Sequence, residues 1–232
     1  MPIYTPGKLI LKKEPVLAEP YYNDVSLLLH GDGANGSTTI TDSSPTPKTV
    51  TAVGSAQIST TQSKFGGSSI DNSVLGSYLS VAATTAFMFG TGDFTVELWL
   101  YFVAAASECR IIAFAGPNNT QLNLAYKNGG NRLTIVNEGV SHILTTSQDL
   151  IANSWQHIAY TRAANNLRLF FNGTQIGSTV GVAAINSNVS ASLIVGDGVF
   201  RGYIDDLRIT KGVARYTANF TPPTAPFPEV VG

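Results

Sequence analysis

The sequence holds a single cysteine in 232 residues, so no disulfide can close within the chain, and a CxxC redox pair or thiolate zinc site is impossible unless chains combine. Charge is scarce as well. Charged residues make up 12% of the chain against a globular norm of roughly 25%, and 14 lysines and arginines nearly cancel 15 aspartates and glutamates. The basic stripe of a nucleic-acid binder is therefore not expected. No apolar run approaches the ~18 residues that would cross a bilayer as a helix. The opening Met1-Pro2-Ile3-Tyr4-Thr5-Pro6-Gly7 has no basic segment ahead of an apolar stretch, so a classical export signal is not expected either. What is present is hydrophobic content of 44%, too high for a disordered chain and enough for one large folded domain.

That content is patterned as strands. Phe94–Val103 is rich in β-branched and aromatic residues, lacks proline, and carries no 3.6-residue apolar stripe, which predicts a long central strand. Two further strands, at 155–162 and 167–172, are joined by Ala163-Ala164-Asn165-Asn166, a connection of hairpin length. Asn172-Gly173 then offers two adjacent residues that tolerate φ > 0, as a type I′ turn requires, with Thr174-Gln175-Ile176 as the return strand. Shorter strands are predicted at 25–30, 49–58, 77–82, 109–115, 121–126, 132–137, 141–146, 192–196 and 200–210. Turn signals every 8–12 residues or so point to an all-β sandwich or barrel. Only Gly212–Tyr216 suggests a helix, of one turn at most. Residues 1–22, with prolines at 2, 6, 15 and 20, read as an extended arm that either frays or anchors on a neighbouring subunit. The Pro-rich tail from Thr221 to Pro228 is expected to pack back along the domain edge.

These blocks resemble a concanavalin A-like, laminin-G-like jelly-roll domain. The likeness rests on Ser26–Gly33, Thr41–Ser44, Gln62–Ser69, Phe89–Glu97, Trp155–Ala159, Leu169–Gly173, Gly202–Ile209 and Thr210–Pro223, in that order. The resemblance implies two packed antiparallel sheets over residues 23–232. It also implies, in many relatives, carbohydrate or protein-surface binding. The closing block is similar to the version carried by tailed-bacteriophage virion proteins.

Catalysis is not expected. A retaining glycosidase needs two carboxylates about 5–5.5 Å apart. Glu97, however, shares its strand face with Thr95, Trp99 and Tyr101, and Glu108 lies beyond the strand end. Glu97 reads instead as a hydrogen-bonding residue on a half-solvated face. His30, His142 and His157 are scattered, and no G-x-S-x-G elbow occurs. Trp99 and Trp155 read as core or sheet-face packing, Cys109 as a small core hydrophobe, and Phe65-Gly66-Gly67-Ser68-Ser69 as a turn.

By position, Asp32, Asp42 and Asp205 are similar to the acidic sites at which laminin-G-like relatives hold structural calcium. Asp205 alternates with Leu207 and Ile209, and an inward carboxylate needs a partner. That partner is either the ion, an arginine such as Arg162 or Arg215, or a set of backbone N–H groups. Glycan-compatible loops at 116–120, 126–131 and 196–201 nominate Asn118, Asn119, Tyr126, Asn128, Asp197 and Arg201, though the same residues suit ordinary turns. The reading that follows is a non-enzymatic phage virion protein, either a capsid decoration or a short fibre. It would be present in many copies, anchored to a coat or tail protein through residues 1–22, and turned outward toward cell-surface glycan. A free-standing carbohydrate-binding module and a glycoside hydrolase are the alternatives.

Overall fold

The computed structural model describes residues 19–105, 108–115, 122–127, 132–137, 141–182, 185 and 192–229. In chain order the strands are β1 (Val25–Leu29), β2 (Val50–Val53), β3 (Gln57–Ser59), β4 (Ser69–Asp71), β5 (Tyr78–Val81), β6 (Phe94–Ala105), β7 (Cys109–Ala115) and β8 (Leu122–Lys127). They continue with β9 (Arg132–Asn137), β10 (Ser141–Thr145), β11 (Trp155–Ala163), β12 (Asn166–Phe171), β13 (Thr174–Gly181), β14 (Ser192–Val195) and β15 (Phe200–Lys211). The larger sheet has the order β13-β12-β11-β6-β15-β4-β3, with β1 added on β15; the smaller is β10-β9-β8-β7-β14-β5-β2. All pairings are antiparallel, which gives the two-sheet jelly-roll sandwich. Helical structure among the described residues is limited to 3-10 turns at Tyr22–Asp24 and Thr85–Phe87; the Gly212–Tyr216 segment is not helical.

Alternation along β6 sets the layers. Phe94, Val96, Leu98, Leu100 and Phe102 enter the inter-sheet core, where Ile112, Phe114, Leu124 and Ile135 of the smaller sheet meet them. Cys109 lies in the same core, and burial pushes its thiol up to about 12. Both expected hairpins form. Ala164 and Asn165 (φ 45° and 69°), like Asn172 and Gly173 (φ 47° and 77°), adopt the left-handed pairs that match strand twist. Two strand expectations need revision. Residues 49–58 split into β2 and β3 at Gly54 (φ 67°), and Ser69, read as part of a turn, opens β4 against β15.

The other face of β6, with Thr95, Glu97 and Trp99, is also covered, so Glu97 is 0% exposed rather than half-solvated. Residues 212–229 run across this face as a strap and do not keep to the domain edge. Thr95 Oγ1 donates to Val213 O (3.0 Å) and Thr161 Oγ1 to Tyr216 O (2.7 Å). Phe220 N donates to Gly173 O (2.9 Å). Tyr216 stacks on Phe220 at 3.6 Å, and Phe220 meets Phe170 edge-on. The far end is held by Asp206, a bulge residue at φ 49°, which accepts from Phe227 N (2.9 Å) and bonds His30. His30 Nε2 in turn lies 3.0 Å from Glu229. The last residues of the segment read as an arm are docked here too, since Glu19 is buried and Tyr22 packs with Val25, Leu28 and Phe227.

A Cβ at Gly173 would overlap the Phe220 carbonyl oxygen, and its φ of 77° disfavours any other residue. Gly173→Ala is expected to destabilise the protein by about 1–3 kcal/mol. Limited proteolysis should show faster cleavage within residues 212–229. A strap as resistant in the variant as in the parent would contradict this docking.

Candidate functional site

The outer face of the larger sheet divides into three zones. Under the strap lies an ionic cluster. Glu97 Oε1 accepts from Arg208 Nε (2.9 Å) and Nη2 (2.7 Å), and Glu97 Oε2 from the Tyr216 hydroxyl (2.7 Å). Arg208 Nη1 continues to Glu19 (2.6 Å), which also receives Arg215 Nη1 (2.8 Å). His157 Nε2 stands 3.5 Å from Glu97. Burial opposes the Glu97 charge, but Arg208, with two N–H donors on one oxygen, together with His157 and Arg215, overcomes it and holds the carboxyl down at about 2. The stability this supplies is fully present above the ordinary carboxylate range and is lost progressively as pH falls from about 4.5 through about 2. Glu19 is a second carboxylate near Glu97, but Arg208 lies between the two and the strap covers both.

Beside this zone Trp99 is roofed by a loop. Lys64 Nζ sits 3.8 Å above its ring and Phe65 meets it edge-on.

Beyond Trp99 the register aligns a row across five strands: Trp155 opposite Tyr101, Tyr101 opposite Tyr203, Tyr203 opposite Asp71, and Asp71 opposite Gln57. Tyr101 contacts Trp155 at 5.5 Å and Tyr203 at 5.9 Å, each edge to face. Trp155, Tyr101 and Gln57 are partly exposed, while Tyr203 and Asp71 lie deeper. Among the described residues, the strap's hydrogen bonds and ring contacts all fall on the other half of the face. Sequence reasoning assigned Trp155 to packing and passed over Tyr101 and Tyr203. Their signal was the i, i+2 alternation with Glu97 and Asp205, which placed them on one face without showing that the face is left partly open.

Of the nominated ligand residues, Arg201 is exposed two positions from Tyr203, and its Nε donates to Ser73 O (2.9 Å). Asp197 closes its own turn, accepting from the backbone N–H groups of Arg110, Val199 and Phe200. Tyr126 is not in a ligand loop: it is 5% exposed, with its ring 4.9 Å from Phe102 in the core, because β8 extends through it. Asn118, Asn119 and Asn128 lie outside the described residues.

The three aspartates nominated for calcium do not form one cage. Asp42 accepts from the backbone N–H groups of Leu28, Ser44 and Lys48, and Asp32 is exposed against Gly66. Asp205 Oδ2 accepts from Lys64 N (2.7 Å) and Phe65 N (3.1 Å), the backbone arrangement. Arg162 instead binds the carbonyls of Thr91, Gly92 and Val182, and Arg215 binds Glu19. No group of three or more His, Cys, Asp or Glu among the described residues is arranged to hold a metal.

Among the described residues, Asp205 Oδ1 is buried without a partner. Desolvation outweighs the two N–H donors, and with Asp206 and Asp32 nearby the carboxyl is raised to about 7. The folded state therefore binds this proton more tightly than the unfolded chain, and stability falls as pH rises from about 4 through about 7. Asp205→Asn is expected to match the parent near pH 4 and to exceed it at pH 8 by roughly 1–3 kcal/mol. Thermal melts across this range decide the matter. A gap that does not widen with pH contradicts the assignment, and a calcium-dependent rise in the parent's melting temperature, absent in the variant, makes Asp205 a metal ligand.

Comparison with known proteins agrees with this architecture. Domain 4 of AbnA, a GH43 extracellular arabinanase from Geobacillus stearothermophilus solved with arabinotriose, superposes with a TM-score of 0.66 at 16% identity, over 82% of this chain and 94% of that one. A botulinum neurotoxin type C structure, described in terms of cell entry through two ganglioside molecules, gives 0.62 at 17% identity over 83% and 49%. The binding domain of Paraclostridial Mosquitocidal Protein 1 gives 0.61 at 18% over 83% and 50%. This chain thus spans about half the length of those toxin chains. No curated protein matches it in sequence. A family model matches residues 71–215, more than half of the chain and spanning β5 through β15, and the chain belongs to the concanavalin A-like lectin/glucanases superfamily.

Proposed function

We propose that this is a non-enzymatic attachment domain of a phage particle, a capsid decoration or short fibre, which binds surface carbohydrate through the row Trp155-Tyr101-Tyr203. The row carries the reading. Sugars present apolar C–H faces together with hydroxyls, and this surface offers aromatic rings in line with a carboxylate and an amide, Asp71 and Gln57. Glycan-directed structures among those with the same fold support it, namely an arabinanase domain in complex with arabinotriose and a toxin domain in complex with SialylT. A non-catalytic role is supported by Glu97: ion-paired to Arg208 and sealed under the strap, it cannot act as the acid or nucleophile of glycoside cleavage. The particle setting rests on the likeness of Thr210–Pro223 to phage virion proteins, with residues 1–18 as the anchor. Many copies would multiply weak contacts by effective concentration.

Two measurements test the reading. Trp155→Ala and Tyr101→Ala are each expected to weaken retention on the recognised glycan by about tenfold, the worth of one aromatic contact, with little change in melting temperature. Binding equal to the parent's would remove the row as the site, and release of soluble product from polysaccharide would overturn the non-enzymatic reading. Deleting residues 1–18 should leave the domain folded and keep it off the particle. Incorporation of the truncated chain would contradict the anchor.

A further inference from the structure

A cleft of about 610 Å³ opens between the Asn23–Ser26 segment, the loop carrying Thr46 and Lys48, the turn at Thr84–Ala86, and the end of β15 at Lys211. Its volume lies in the usual ligand-site range of about 300–1,000 Å³, and its walls set charged and polar groups among apolar surface. They carry two ammonium groups, one carboxylate from Asp24, the Asn23 amide, and the hydroxyls of Thr46 and Thr84. Two lysines and one aspartate line the cleft itself, with a second aspartate, Asp42, behind Lys48.

Neither ammonium is fully engaged among the described residues. Lys211 Nζ donates to Thr85 O (2.8 Å) and Lys48 Nζ to Thr46 O (2.7 Å), which leaves further donors on each. Lys48 is 3.9 Å from Asp42 Oδ2, but Asp42 already accepts three backbone N–H groups. Burial lowers the Lys48 pKa despite that neighbour, the mark of a cation with too little compensating charge. Thr84 Oγ1 accepts from Ala86 N, so its hydroxyl proton is left to donate.

We propose that this cleft binds a carboxylate-bearing sugar, the ammonium groups of Lys48 and Lys211 taking the acid and the surrounding hydroxyl, amide and Asp24 groups taking the ring hydroxyls. The inference rests on the carbohydrate-binding reading and adds a second subsite to it. The two subsites are independent. Lys211 lies eight residues along β15 from Tyr203, roughly 25 Å at strand rise, too far for one monosaccharide to touch both. The cleft has no aromatic wall, so it suits an acidic sugar, whereas the row suits an uncharged sugar face.

The test is titration calorimetry on the full chain with 3′-sialyllactose, glucuronate, lactose and sodium acetate, using the parent, Lys48→Gln/Lys211→Gln and the charge-retaining Lys48→Arg/Lys211→Arg. Sialyllactose and glucuronate are expected to bind the parent at least tenfold tighter than lactose or acetate. The double glutamine variant should lose at least tenfold, while the arginine pair should stay within about threefold, both with parental melting temperatures. Acidic sugars binding the parent and the double glutamine variant alike would overturn the cleft assignment while leaving the carbohydrate reading in place. So would lactose binding as tightly as sialyllactose. Acetate binding as tightly as the sugars would make this a bare anion site and overturn the sugar assignment. Absence of binding to any sugar, acidic or neutral, across a glycan array would overturn both the cleft and the carbohydrate reading.

Discussion

The ion pair between Glu97 and Arg208 determines how the outer face of the larger sheet is used. A carboxylate on a twelve-residue strand, with no exposure to water, would be among the costliest groups in the protein if it stood alone. The two N–H donors of Arg208, the Tyr216 hydroxyl and the extension through Arg208 to Glu19 and Arg215 supply the compensation. These partners come from three distant parts of the chain: residue 19, β15, and the strap. The network is thus the point at which the segment before β1 and the segment after β15 are fixed to the same sheet. Removing one partner from such a cluster leaves an uncompensated buried charge, with a typical cost of about 3–5 kcal/mol.

That arrangement has a consequence for function. The strap seals the half of the face around Glu97 and takes that carboxylate out of contact with solvent, while the aromatic row and the lysine-lined cleft near the end of β15 are left open. In a superfamily named for lectins and glucanases alike, what covers this sheet bears on whether the chain binds or cleaves. The fold itself does not decide it. The bulge at Asp206 serves the same end. It lets Asp205 and Arg208 both leave the core side while Leu207 and Ile209 remain in it, and it turns the Asp206 carboxylate to the strap's Phe227 N–H.

Much of the sandwich was legible because period-two alternation and left-handed turn residues act locally. Phe94–Phe102, the Asn172-Gly173 turn and the burial of Cys109 all follow from neighbours in sequence. What was not legible depends on what lies across a strand from what. The same alternation put Glu97 on an outward face, but only the docking of residues 212–229 makes that face dry. Tyr126 looked like a loop aromatic beside Asn128-Gly129-Gly130, and the register of β8 on β7 brings its ring inward instead. Asp42 and Asp205 were recognisable as carboxylates in need of partners. The partners are mostly backbone N–H groups, which carry no residue-type signal in a sequence. The row of Trp155, Tyr101 and Tyr203 comes from strands far apart in the chain and becomes visible only through cross-strand pairing.

Native-state hydrogen exchange on Glu97→Gln tests the central claim most directly, because it reads the strap separately from the sheet beneath it. If the Glu97–Arg208 pair fixes the strap, amide protection at Phe220 and Phe227 should drop by a hundredfold or more in the variant, while β11 and β12 lose far less. Protection of the strap unchanged relative to the sheet would contradict the account.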